Sequence, residues 1–283
     1  MSLPVANRPR PRGYQHRMLR LVHLPGVVFA ALLVAACSSG FELARYQTNE
    51  SLFAASLEEF QRGRWDNAIS GFERLTLQLP ARDTLLPRAH WYLGVAHQRR
   101  GEDLLAAQSF VRLVESFPAD TLADDALYEA AHAYQNIWRK PELDSQYGET
   151  ALTTYQTLLS AFPDSPRRAD AEREIAQLQE WMARKDYDTG AYYDRRGAYD
   201  SAIIYFQDVV EKYPDTPTAR LSSLRLLDVY RRLNYREEAD EVCTKLRAKY
   251  PSDAEVREAC GAGPSVPAAP RAPPPDTSGA VHR

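Results

Sequence analysis

The stretch Lys185–Pro217, KDYDTGAYYDRRGAYDSAIIYFQDVVEKYPDTP, decides how the rest of this chain is read. It divides into two short helices packed back to back. Gly190 and Ala202 are small where the two would cross, and small residues let helix axes approach. Gly197 supplies the turn between them, because glycine tolerates the left-handed backbone of a tight reversal. Phe206, four residues after Ala202 on the same helix face, fills the wedge between the pair. Pro214 cannot continue the second helix, so the chain turns. Thr216 then offers a capping oxygen, and Pro217 suits the first turn of a following helix.

Working outward, the same unit recurs. Ala68, Ala106, Ala151, Ala202 and Ala239 each stand 12 residues before a proline: Pro80, Pro118, Pro163, Pro214 and Pro251. Four residues after each alanine comes Phe72, Phe110, Tyr155, Phe206 or Cys243. A small–turn–small–aromatic–Pro unit of about 34 residues resembles the tetratricopeptide repeat. One helix pair cannot bury its own apolar face, whereas stacked neighbours can. The chain is therefore expected to be an all-α tetratricopeptide-repeat solenoid of five helix pairs over residues 48–260.

Local departures carry their own expectations. In the first repeat Leu52, Phe53, Ala55 and Phe60 mark the first helix, and Gly63 makes the turn. The second repeat starts near Pro87 and has 12 residues from Gly94 to Ala106, whereas the third has 20 from Ala131 to Ala151. The excess falls in Asn136–Glu149, NIWRKPELDSQYGE, which predicts a longer loop. Loops that interrupt a repeat are common partner sites. Pro166–Met182 is rich in Ala, Glu, Arg, Gln and Leu, and predicts a helix that runs into the first helix of repeat four, about 45 Å in all. Ser252 with Glu255 fits a capping box for a last short helix to about Cys260.

The two ends read differently. Arg8, Arg10, Arg12, Arg17 and Arg20 precede the apolar run Val27–Ala36, VVFAALLVAA, which is too short for a bilayer span of roughly 20 residues. The run ends in Val34-Ala35-Ala36-Cys37-Ser38-Ser39, which resembles a bacterial lipobox. Residues 1–36 are thus expected to be a lipoprotein signal peptide, with Cys37 the lipidated first residue and 37–47 a polar tether. A start at Met18 instead of Met1 would give the signal an ordinary length. Ser38 rather than Asp after the cysteine implies, by resemblance to enterobacterial lipoproteins, sorting to the outer membrane. Residues 261–283, GAGPSVPAAPRAPPPDTSGAVHR, lack apolar periodicity and are expected to be disordered.

Without the five leading arginines the chain carries 30 Lys and Arg against 38 Asp and Glu, a net charge of −8. That balance argues against nucleic acid as a partner. No phosphate loop, HExxH, CxxC or GxSxG stands in the sequence, so neither catalysis, metal nor cofactor is indicated. His90, His97 and His132 fall on first helices and read as solvated or core histidines. Cys243 and Cys260 form a disulfide, or Cys243 is a buried thiol in the place that Phe206 takes in its repeat; the spacing leaves both open.

First helices line the inner face of such a solenoid. Phe53, Trp91, Tyr128, Tyr187 and Leu224 stand three residues before each repeat's small position. They form either a groove for an extended, aromatic-bearing substrate chain, with Gln98 and His132 as polar contacts, or packing between repeats.

With the lipobox, five repeats and the run Ala183–Pro217 in place, the chain resembles the BamD family of lipoproteins of the outer-membrane β-barrel assembly machinery. YDTGAYYDRRGAYDSAI and YPDTP carry the likeness in repeat four, whereas Ala81–Pro87, ARDTLLP, replaces that family's aromatic-rich segment. The resemblance implies an outer-membrane, lipid-anchored scaffold facing the periplasm. Its C-terminal repeats would meet a POTRA-containing barrel-insertion protein and accessory lipoproteins, and its N-terminal repeats would meet unfolded outer-membrane proteins. The arginine before the glycine of the RGAY turn, here Arg196, would contact the partner, together with Arg195 and Tyr193. A guanidinium holds a carboxylate by two hydrogen bonds. The alternative is another periplasmic repeat adaptor, such as the Tol–Pal coordinating protein, which AHWYLGVAHQRRGEDLLAAQSF also resembles. That family carries an N-terminal coiled coil, and no heptads precede the first repeat here.

Overall fold

The computed structural model describes residues 41–261. The expected signal peptide, the expected lipidation site Cys37 and the tail from residue 262 lie outside the described residues. Two compact units divide the chain at Tyr46 and Gln47. In the first, the described part of the expected tether is not simply extended: Leu43–Arg45 makes one 3-10 turn. The Phe41 and Tyr46 rings flank that turn at 5.5 Å.

The second unit is all-helical among the described residues. Its helices are α1 (Asn49–Gln61), α2 (Trp65–Gln78), α3 (Leu86–Arg100), α4 (Asp103–Ser116), α5 (Ala123–Ile137), α6 (Gln146–Ala161), α7 (Arg168–Arg195), α8 (Tyr199–Lys212), α9 (Pro217–Leu233), α10 (Arg236–Lys249) and α11 (Ala254–Cys260). They form five antiparallel pairs and a final single helix, each pair packed on the next. This is the all-α tetratricopeptide solenoid that the repeats predict.

The five alanines behave alike. Ala68, Ala106, Ala151 and Ala202 are completely buried, and Ala239 nearly so. The wedge residues Phe72, Phe110, Tyr155 and Phe206 are also fully buried. Each ring takes the space that a small residue on the first helix leaves open. A Cβ on Gly94 would stand 2.7 Å from the Phe110 ring, and one on Gly190 2.8 Å from Phe206. In repeat five the sizes are exchanged: Leu227 occupies the small position, and Cys243 replaces the aromatic in the same cluster. Total volume is kept, which a close-packed core requires.

Turns within and between repeats follow local chemistry. Gly63, Gly101 and Gly197 have φ of 72°, 75° and 74°, and Asn234 takes the same left-handed role at 60°. At the junctions a side-chain oxygen holds the backbone just ahead of the next helix, and at Thr216 it caps the helix itself. Asp83 accepts from Leu85 N–H, Asp120 from Leu122, Ser165 from Arg167 and Thr216 from Ala219. At the last junction the cap is Asp253, which accepts from Glu255 and Val256 N–H, and not the expected Ser252. Arg220 of α9 donates to both Asp253 oxygens at 2.7 and 2.8 Å and so holds this carboxylate at the helix start.

Two further departures matter. In α1 the buried face is Leu52, Phe53, Ser56 and Glu59, whereas Ala55 and Phe60 are only half-buried. Glu59 belongs inside because Arg64 of the adjoining turn and Asn67 of α2 donate to it. Helix α7 runs unbroken for 28 residues, about 42 Å, as its composition predicts.

Candidate interaction surfaces

The first helices stand side by side and carry the expected stripe. The four aromatic stripe residues each pack on the wedge aromatic of their own repeat. Ring centroids are 5.6 Å apart for Phe53–Phe72, 5.4 Å for Trp91–Phe110, 5.5 Å for Tyr128–Tyr155 and 5.6 Å for Tyr187–Phe206. Phe53 keeps only 6% of its surface, because Tyr92 and the Arg88 guanidinium cover it. Trp91, Tyr128, Tyr187 and Leu224 are half-buried, so one side of each remains open.

The two polar residues expected beside the stripe each meet a residue of α5. His132 stacks parallel to the Tyr128 ring at 6.4 Å. Gln98 reaches across from α3 and donates to Glu129 of α5 at 2.9 Å. Gln135 repeats this one step on, donating to Glu174 of α7 at 2.7 Å and accepting from the Tyr155 hydroxyl at 3.0 Å. Burial, then the Glu174, Asp170 and Glu129 carboxylates, push the Tyr128 phenol up. Tyr128 is therefore a neutral hydroxyl at any physiological pH. The two glutamates that order this face carry no motif, and only the register between repeats reveals them.

The other surface is the turn after α7. Arg195 and Arg196 are exposed, and the Arg196 guanidinium lies 4.5 Å over the Tyr192 ring. Tyr193 meets Tyr192 edge-on and stacks on Tyr205 of α8 at 5.6 Å. Tyr192 was not singled out by sequence; its i,i+4 spacing to Arg196 on one helix face is the signal. Beside the turn, the 138–145 loop between α5 and α6 leans on α7. Trp138 anchors it, 1% exposed and edge-on to Trp181 at 5.7 Å. Its ring fills the space over Gly148, where a Cβ would stand 2.0 Å away. Lys185 donates to the Leu143 carbonyl. The predicted long loop is thus pinned at both ends. Between it and α7 lies an open cleft of about 430 Å³.

The cysteines of the last repeat are joined. Cys243 and Cys260 form a disulfide with Cα atoms 5.4 Å apart, which ties α11 to α10. Histidines stay with the packing: His97 is buried against Glu102 at 2.7 Å. Burial, with Arg112 adding to it, lowers the His90 pKa to about 4. Among the described residues no group of three or more metal-ligating side chains converges. No described helix is long and apolar enough to cross a membrane.

Comparison with known proteins gives these surfaces a context. The family described as YfiO, outer membrane lipoprotein, matches residues 45–246. The outer membrane protein assembly factor BamD of Caulobacter vibrioides is 25% identical over 245 residues, covering 83% of this chain and 80% of that protein. BamD of Vibrio cholerae is 26% identical over 217 residues, 73% of this chain and 89% of that protein. Among solved structures, the TPR domain of P58(IPK) aligns with 84% of this chain and 58% of that chain, at 14% identity and a TM-score of 0.41.

Proposed function

The chain belongs to the YfiO family of outer membrane lipoproteins, and from that premise we propose that it is a non-enzymatic scaffold of outer membrane protein assembly. It is held to the periplasmic face of the outer membrane by lipid on Cys37. The turn Tyr192–Arg196 docks on the POTRA part of a barrel-insertion protein. The half-open stripe of Trp91, Tyr128 and Tyr187 receives unfolded outer-membrane chains.

One observation carries the docking role: Arg196 stands exposed over Tyr192 in a cluster of three tyrosines, with Arg195 exposed beside it. Tyrosine and arginine are enriched among the residues that dominate binding at protein interfaces, and stacking on Tyr192 restricts the Arg196 side chain before a partner arrives. The half-buried stripe supports the substrate role in the same way, because rings already fixed on their wedge partners lose little freedom on contact.

Pull-down from detergent-solubilised outer membrane tests this. The expected product is a POTRA-containing barrel protein, retained with Lys245→Glu and lost with Arg196→Glu. Recovery of Tol components in its place would move the chain to the alternative adaptor role. Mass analysis of the mature N-terminus checks the anchor: an unmodified Cys37 would remove it.

A further inference from the structure

We propose that the proline-rich tail of this same chain docks, through Pro267–Pro275, in the cleft between the 138–145 loop and α7. The cleft wall includes Pro141, Glu142, Asp188, Thr189, Tyr192 and Tyr193. Tyr192 and Leu143 keep 43% and 50% of their surface, so both offer apolar area to an occupant of the cleft.

The course of the chain delivers the tail to this place. Helix α11 runs alongside α9 in the same direction. Arg220 holds Asp253 and Glu255 at their starts, and Arg231 donates to the Ala259 carbonyl at their ends. Helix α9 is aligned with α7 in the same way, by Thr218–Glu180 at one end and Arg232–Asp194 at the other. Gly261 therefore leaves the fold at the edge that carries Asp194–Arg196, two helices away. Packed helices lie about 8–10 Å apart, so the gap is on the order of 20 Å. The tail contains 22 residues after Gly261. At about 3.1 Å per residue in polyproline II form it spans roughly 70 Å, and Pro267 falls near 19 Å.

The chemistry matches as well. Pro267-Ala-Ala-Pro270 and Pro270-Arg-Ala-Pro273 place prolines every third residue, on one edge of a polyproline II helix. Such helices dock on tyrosine-lined grooves because their backbone is already ordered. Arg271 lies within this run, and Glu142 is exposed on the cleft wall with no ion-pair partner among the described residues. A docked tail covers Tyr192 and Tyr193 and competes with a partner at Arg196. That second clause rests on the docking role proposed above; the tail contact itself does not.

A photo-crosslinking benzoylphenylalanine at position 143 of the full chain reads the contact, with position 77 as the control, since Leu77 is 85% exposed. The expected result is a crosslink from 143 to residues 262–275, absent from 77 and lost in the P270G/R271E variant. No tail product, equal products from 143 and 77, or a crosslinked dimer would overturn the proposal. Ending the chain after Gly261 is expected to tighten binding of a POTRA fragment about tenfold, as loss of a tethered competitor does. Unchanged affinity beside a positive crosslink would overturn the competition. If the fragment binds neither form, the docking role at Arg196 falls, while the crosslink still decides the tail.

Discussion

Phe206 presses its ring onto Gly190 so closely that a Cβ there would stand 2.8 Å from Cε1. The same relation joins Phe110 to Gly94. These two glycines sit inside helices, where alanine is the better helix former by roughly 1 kcal/mol. Packing and propensity thus oppose each other. Both rings are fully buried and have no free direction to move. Gly190→Ala and Gly94→Ala are each expected to lose about 1–3 kcal/mol of stability despite the helix gain. Thermal melts of the two variants check this, and a rise in Tm for either would show that the helices part without cost.

Trp138 gives the second prediction. It is the only large apolar residue of the 138–145 loop that is fully buried, and it rests on Gly148 and Trp181. Gly148→Ala should expel the indole, because its Cβ would occupy the ring's own space. Quenching of tryptophan fluorescence by iodide should rise, and amide exchange should accelerate through 138–145. Helices α1 and α2, which belong to the repeat beyond the neighbouring one, should keep their protection, since repeats couple chiefly to neighbours.

Acid should weaken the fold through His90. Its pKa falls from 6.5 to about 4 because burial penalises the imidazolium and Arg112 repels it. The unfolded chain therefore binds a proton that the folded chain refuses. The neutral-His contribution is complete above pH 6.5 and is lost as pH falls from 6.5 toward 4. His90→Phe should flatten the stability-versus-pH curve in that window. An unchanged slope in the variant would assign the effect elsewhere.

The last helix depends on two ties. The disulfide Cys243–Cys260 closes a separation of 17 residues, for which loop entropy predicts about 3 kcal/mol. Arg220 supplies the other tie, and its hydrogen bonds, with those from the Val256 and Glu255 amides, hold Asp253 at about 2. That contribution is present above pH 3.8 and is lost as pH falls through about 2. Reduction alone, or Arg220→Ala alone, should loosen α11, seen as faster exchange at Val256. Both together should release it and expose the Leu227–Tyr230 face of α9. Full protection of α11 in the double case would mean that Val256 burial suffices.

Much of this protein is legible in its residues taken one after another. The alanine-to-proline interval, the glycine turns and the buried wedge aromatics are local features with local causes: steric size, missing amides and left-handed φ. They define a helix pair and demand neighbours, so the repeat fold followed from the chain alone. Tertiary structure decided what crosses between repeats. Gln98 is spent on Glu129, Glu59 is buried by its turn, and the cap at the last junction moves to Asp253. Trp138 turns a polar insertion into one wall of a cleft, and α11 delivers Gly261 to the edge beside Arg196. Gln98–Glu129, Arg220–Asp253 and Arg231–Ala259 join residues 28 to 33 positions apart, and such partners are fixed by helix register and packing rather than by any spacing within one repeat.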